Sequence, residues 1–253
     1  MVRLEQVVSG LPATKRLYLD DPYVRECEAR VLRYVPETRS AGYLVLDRTV
    51  MHPKGGGQPS DTGTIVGEGA EFDVKKVLEA DDVVVHYGKY TSGTGLRDEV
   101  KVNLDWGLRY SVMRHHTAGH IIDHAVLVSI GGESLTSASA FHGPPESYIE
   151  FEGALRGIDL RFLEEVANSV VREDRPVKPI YVDPLRLREV VRGAFNLNRL
   201  PKAERYRVVV IEGINAIPCG GTHVSRTSEV GTIRVTGVQP SPAGFKVLYR
   251  VET

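Results

Sequence analysis

The sequence predicts an α+β fold in two parts: a small N-terminal β-barrel over residues 1–105, then an α+β domain with an antiparallel sheet over residues 106–253. Three observations carry this. Between residues 18 and 104, short β-like runs recur at even spacing with turn residues between them, as in a small barrel. At Asp105-Trp106 the texture changes, and residues 106–130 hold no proline and read as one long helix. Beyond that helix, strand-like and helix-like runs alternate to the end of the chain.

The elements follow in order. Residues 1–16 carry no strong pattern and read as a loosely held leader. Residues 25–35 alternate roughly, with Cys27, Ala29, Val31 and Arg33 on one face. Tyr43-Leu44-Val45-Leu46 forms a second strand, followed by the glycine-proline loop His52-Pro53-Lys54-Gly55-Gly56-Gly57-Gln58-Pro59-Ser60-Asp61-Thr62-Gly63. Further strands are expected at 63–66, 72–78, 83–87 and 99–104. Asp105 is placed to cap the long helix and Gly131-Gly132 to stop it. Then come a strand at 148–151, an amphipathic helix at 160–173 behind Asp159, and a strand at 176–182. A short helix at 185–194 and strands at 206–211, 231–238 and 245–251 complete the chain.

Bulk properties narrow the class. The chain has 253 residues, 42% hydrophobic and 26% charged, which suits a globule with a substantial core. No apolar run approaches the roughly eighteen residues of a membrane span, and the first ten residues lack a signal-peptide order. The expected location is the cytoplasm, with no membrane partner. Two cysteines, Cys27 and Cys219, are too few for a disulfide framework. A net charge of −1 argues against a general nucleic-acid coat and leaves room for a local basic patch.

Two stretches carry chemistry. His116-Thr117-Ala118-Gly119-His120 sets two imidazoles four apart on the long helix, and Cys219-Gly220-Gly221-Thr222-His223 sets a thiol and an imidazole four apart on a glycine turn. Helix positions four apart share one face, with Cβ atoms about 5–6 Å apart. One histidine pair alone reads as two ordinary helix residues. With the second pair, His116, His120, Cys219 and His223 form a donor set that suits Zn2+ better than Ca2+ or Mg2+. Thr117 follows the first histidine where a metalloprotease needs Glu. Four bound side chains would close the shell, whereas a catalytic site keeps one position open. His115 reads as a surface residue or a buttress, His124 as a packed helix histidine, and His52, His86 and His142 are given no role.

These residues have a resemblance. The run Arg114-His115-His116-Thr117-Ala118-Gly119-His120-Ile121-Ile122 and the run Pro218-Cys219-Gly220-Gly221-Thr222-His223-Val224 resemble the editing domain of alanyl-tRNA synthetases and the related threonyl domain. The Gly55–Gly63 loop resembles the glycine motif of the domain that precedes it, and with that loop the match is to alanyl-tRNA editing proteins of the AlaX type, medium length. The resemblance implies a zinc-dependent aminoacyl-tRNA deacylase, acting in trans on alanine tRNA mischarged with serine or glycine. It places His116, His120, Cys219 and His223 at the zinc positions. No G-x-x-x-x-G-K-[ST] loop occurs, so ATP use is not indicated. Other readings are a threonyl-type editing module and a non-catalytic, zinc-stabilised tRNA-binding module.

Ester hydrolysis needs a placed water and stabilisation of the oxyanion. No general base is identifiable, so catalytic residues stay unassigned; Cys219 as nucleophile is a less simple role than ligand. A hydroxyl contact separates serine from alanine, and Thr136 and Ser137 are candidates for it, or else part of a polar turn. Gly55, Gly56, Gly57, Gln58 and Asp61 are further substrate-binding candidates, or else a tight barrel turn. Residues 185–207 hold seven Lys or Arg against two Glu. Arg186, Arg188, Arg192, Arg199 and Lys202 are candidates for gripping tRNA phosphates, or else a solvated face. The oligomeric state is not legible in the sequence.

Overall fold

The structure is a computed structural model that describes residues 2–132, 135–154 and 157–252. The chain gathers into two compact units, Met1–Gly55 with Pro59–Tyr110, and Gly56–Gln58 with Ser111–Thr253.

The first unit is a closed, antiparallel six-stranded barrel. Its strands are β1 (Glu26–Pro36), β2 (Ala41–Leu46), β3 (Gly63–Gly67), β4 (Ala70–Ala80), β5 (Val83–Ser92) and β6 (Glu99–Leu104). The order around the wall is β1-β2-β5-β4-β3-β6, and Cys27 on β1 faces Val102 on β6 to complete the ring. Closure removes the edges that an open sheet would expose. Leu44, Leu46, Ile65, Phe72 and Val102 fill the interior. The unbroken apolar run of β2 has a plain cause: Tyr43 and Val45 face the other way, into a second cluster with Val7 and Val8.

That second cluster corrects the reading of residues 1–16 as a loose leader. A helix at Leu4–Val8 buries Val7 and Val8. Five residues are too few to show helical periodicity, so the pattern was invisible. Arg33 is also not on the face of Cys27 and Val31. A register shift between Val31 and Arg33 turns it outward, where it donates to the Val7 carbonyl at 2.8 Å and the Ser9 carbonyl at 3.0 Å.

The long helix α1 (Trp106–Ser129) begins in the first unit and continues through the second. Asp105 Oδ1 accepts from the Leu108 amide at 3.1 Å, as an N-cap should. Gly131 and Gly132 take positive φ, and the Gly132 amide donates to the Leu127 carbonyl at 2.8 Å, which ends the helix.

The second unit has strands β7 (Ser137–Phe141), β8 (Ser147–Glu152), β9 (Val177–Val182), β10 (Tyr206–Ile211), β11 (Asn215–Pro218), β12 (Thr232–Pro240) and β13 (Gly244–Glu252). They make a four-stranded sheet, β12-β13-β8-β7, and a three-stranded sheet, β9-β10-β11, both antiparallel. Helix α2 (Leu160–Arg172) starts behind Asp159, whose carboxylate accepts from the Arg161 amide, and Asn168 ties it to both backbone groups of Ile233 on β12. The 185–194 helix is shorter than expected: a 3-10 turn at Pro184–Arg186, one helical turn at Leu187–Val190, then Arg192 bonded both ways to Ala216. Strands β7 and β11 were not foreseen. The first reads Ser-Ala-Ser-Ala-Phe, with little apolar contrast, and the second is four residues ending in proline. No helix among the described residues is long and apolar enough to cross a membrane.

Candidate metal centre

Within the second unit, His116, His120, Cys219 and His223 bring one ligand atom each to within 4.8 Å of one another. The helix supplies the first two and the turn after β11 supplies the others. Cys219 Sγ lies 3.4 Å from His116 Nε2 and 3.3 Å from His223 Nε2. A tetrahedral zinc with ordinary Zn–S and Zn–N lengths would need an S···N edge of about 3.5 Å. One nitrogen of the buried His120, Nδ1, has no hydrogen-bond partner among the described residues. Chemistry, spacing and the orphaned nitrogen all fit a metal ion.

The residues around these four are equally defined. Gln58 is buried, its Oε1 accepting from His116 Nδ1 and from the Thr222 amide, both at 2.9 Å, while Nε2 donates to Thr222 Oγ1 at 3.0 Å. Donation from Nδ1 fixes the His116 tautomer and leaves the Nε2 lone pair for a metal. His223 is held likewise, its Nδ1 3.1 Å from Thr117 Oγ1. Arg207 Nη1 donates to the Cys219 and Gly221 carbonyls at 2.7 and 3.0 Å, so this arginine of the basic stretch holds the turn. Glycine at 119 and 221 is required by close approach. A Cβ on Gly119 would lie 2.5 Å from the His142 ring, and one on Gly221 would lie 2.3 Å from His116.

Electrostatics agree with a neutral, desolvated donor set. Burial is the main cause that lowers His120 to about 3, with His142 and Arg207 adding to it. Burial also raises the Cys219 thiol, against the Gly221 amide and Arg207. A metal ion reverses this second shift by binding the thiolate.

A cavity of about 380 Å³ opens on the cluster, lined by His116, His120 and Cys219 and by residues of β7 and β11. Among the substrate candidates, Gly56, Gly57 and Ser137 line it. Gln58 instead holds His116. Asp61 is buried in the first unit, accepting from Arg109 Nε and from the His52 amide, so it anchors the base of its own loop. Gly55 belongs to the first unit, and the Thr136 carbonyl accepts from the Glu152 amide. Of the basic candidates, Arg199 lines the cavity and bonds the Ala138 carbonyl and Glu152. Arg186, Arg188, Arg192 and Lys202 are exposed.

Two residues of the cavity wall escaped sequence reasoning. His142 is buried and stacks on His116 at 4.4 Å between ring centroids. Tyr249 donates its hydroxyl to the His115 carbonyl at 3.1 Å and meets His142 Nδ1 at 2.8 Å. That makes His142 Nδ1 the donor and Nε2 the acceptor. Asp123, one turn beyond His120, is also buried and lines the cavity. His115 is likewise buried, its Nδ1 2.8 Å from the Ser111 carbonyl. The helical spacing 116, 120, 123 was a usable signal for Asp123; nothing in the sequence marked His142.

Known proteins are similar to this chain. Residues 27–108 match the family described as tRNA synthetases class II (A), and residues 206–250 match the threonyl and alanyl tRNA synthetase second additional domain. The alanine–tRNA ligase of Saccharolobus islandicus (strain M.14.25 / Kamchatka #1) is 32% identical over 239 residues, covering 92% of this chain and 26% of the relative. That of Ignicoccus hospitalis is 34% identical over 232 residues, 89% of this chain and 24% of the relative. That of Methanoregula boonei is 34% identical over 242 residues, 94% and 26%. The chain thus spans about a quarter of the length of the curated relatives it matches. Together with the two histidine-containing motifs and the barrel before them, these matches support an AlaX-like editing protein, similar to a region of alanyl-tRNA synthetases.

Proposed function

We propose that the chain is a zinc-dependent aminoacyl-tRNA deacylase that hydrolyses, in trans, the ester of alanine tRNA mischarged with serine or glycine. The observation that carries this reading is the cavity opening directly on the four-donor cluster. His116, His120, Cys219 and His223 would hold the ion, and zinc bound there supplies Lewis acidity to the ester centre.

The chain's own groups define the rest. Gln58 and Thr117 fix two of the imidazoles, which keeps the donors from reorganising when the substrate arrives. His142, neutral because burial lowers it to about 3, offers Nε2 as a hydrogen-bond acceptor for water in the cavity. Ser137, which lines the cavity, would offer its hydroxyl to a serine side chain, whereas glycine offers nothing for it to bond. The exposed arginines at 186, 188 and 192 would meet RNA phosphates.

Serine-charged alanine tRNA should lose its serine in the presence of the zinc-loaded protein and keep it after EDTA treatment. Survival of the ester at its spontaneous rate in both samples would refute the enzyme reading. It would favour the second one, a tRNA-binding module whose zinc only fastens the fold, which the convergence of four protein donors also supports. Replacing Arg186, Arg188 and Arg192 together by Ala should weaken tRNA binding and flatten its salt dependence by about 0.7–0.9 per lost phosphate contact. An unchanged salt slope would remove these arginines from the RNA surface.

A further inference from the structure

Asp123 has a carboxylate without a cation. It is buried, it lines the cavity, and no Lys or Arg among the described residues pairs with it. Its oxygens accept from the Ala194 amide at 3.1 and 3.2 Å, and Asn215 is its other hydrogen-bond partner. Asn215 in turn donates to the His120 carbonyl at 2.7 Å, which ties Asp123 to the helix turn bearing a ligand. Gly193, at φ +137, lets the chain come this close, since a Cβ there would lie 2.8 Å from Oδ2. Ala194 is also fixed on its other side, its carbonyl accepting from the Ser137 amide at 2.5 Å.

A purely structural anchor for Ala194 needs an acceptor, which a neutral side chain would provide. A negative charge in an apolar wall is costly unless a cation meets it. No Lys or Arg among the described residues meets it, burial pushes its carboxyl up to about 7, and Asp123 borders the space the substrate must enter. An aminoacyl ester carries one cation, the α-ammonium, next to the carbonyl that is attacked.

Resting on the deacylase reading, we propose that Asp123 binds the α-ammonium of the aminoacyl group, so that the site takes esters with a free amino group and refuses N-acylated ones. The contact places the carbonyl in the cavity by its neighbouring atom, and it excludes peptidyl and N-formylated esters on charge and on size. Ser137, joined to Asp123 through Ala194, lies beside the same aminoacyl group.

The test uses zinc-loaded protein and three esters on alanine tRNA: seryl, N-acetylseryl, and 2,3-dihydroxypropionyl, in which a hydroxyl replaces the amine. Wild-type protein should hydrolyse the seryl ester roughly tenfold to a hundredfold faster, in kcat/KM, than either analogue. Asp123→Asn keeps the acceptor for Ala194 and should lose that factor on the seryl ester alone, with zinc content and the dihydroxypropionyl rate unchanged. A fall of equal size on both esters would make Asp123 a structural anchor and overturn the proposal. So would a wild-type protein that does not distinguish amine from hydroxyl, a result that stands even if the variant does not fold. If no ester is hydrolysed, the deacylase reading fails by itself. Calorimetric binding of 3′-serylamido-3′-deoxyadenosine against its dihydroxypropionyl amide then still reports on the ammonium contact, and equal affinities would refute it.

Discussion

His86 in the barrel and His120 on the long helix are both buried histidines, and burial lowers both, to about 4 and about 3. Their surroundings differ. His86 Nδ1 lies 3.2 Å from the Leu44 carbonyl, which can only accept, so Nδ1 carries the proton and Nε2 takes the Thr49 hydroxyl at 2.9 Å. The chain completes that residue. His120 keeps an orphaned Nδ1 and faces two other imidazoles and a thiol. The same contrast holds for charge: Asp61 meets Arg109 inside the first unit, while Asp123 meets no cation among the described residues. Polar groups that the chain satisfies are scaffold, and polar groups it leaves unsatisfied around a cavity are a place for something from outside.

Four measurements would break or sharpen this contrast. The largest effect is expected from Asp61→Ala, which leaves Arg109 buried without its carboxylate and should lower unfolding stability by about 3–5 kcal/mol. Zinc content of the folded fraction should not change; a loss of zinc with intact stability would make Asp61 part of the site.

Acid comes next. His86 binds a proton in the unfolded chain below about pH 6.5 and in the folded chain only below about pH 4. The folded form therefore loses stability as pH falls through that window, by about 3 kcal/mol for a shift of this size. His86→Met should flatten that part of the pH–stability curve. An unchanged curve would mean that the barrel does not bury this imidazole.

Metal removal should act on the other histidine. Zinc at a hundred times its Kd stabilises by about 2.7 kcal/mol, so chelation should lower the unfolding midpoint accordingly. The imidazole resonances of His120 should move and those of His86 should stay. Equal shifts at both would end the distinction. The smallest effect is that of Gln58→Leu, which frees the His116 ring and should weaken zinc binding by about 10–100-fold. Unchanged affinity would show that the loop acts through its glycines alone.

Much of this was legible in the sequence. The barrel strands, the long helix with its cap and stop, and α2 behind Asp159 all announce themselves by period and punctuation. The four residues of the candidate metal centre do so by spacing and residue type. The parts that escaped are those whose sense lies in a partner far along the chain. β7 and β11 carry little apolar contrast, yet they wall the cavity. The helix at Leu4–Val8 is too short for a period and gains its place by covering β2.

Residue type and local spacing determined which atoms are offered: three imidazoles and a thiol in two i,i+4 pairs, and glycines where a Cβ would not fit. Tertiary structure alone decided what each polar group meets. Gln58 and Asp61 stand three residues apart in one loop, one turned to a histidine of the candidate metal centre and the other to an arginine of its own unit. His142 and Asp123 entered the cavity wall although one had no signal and the other a faint one. Burial makes the difference, because the same carboxylate or imidazole is ordinary in water and, once desolvated, must find a partner in the chain or from outside it.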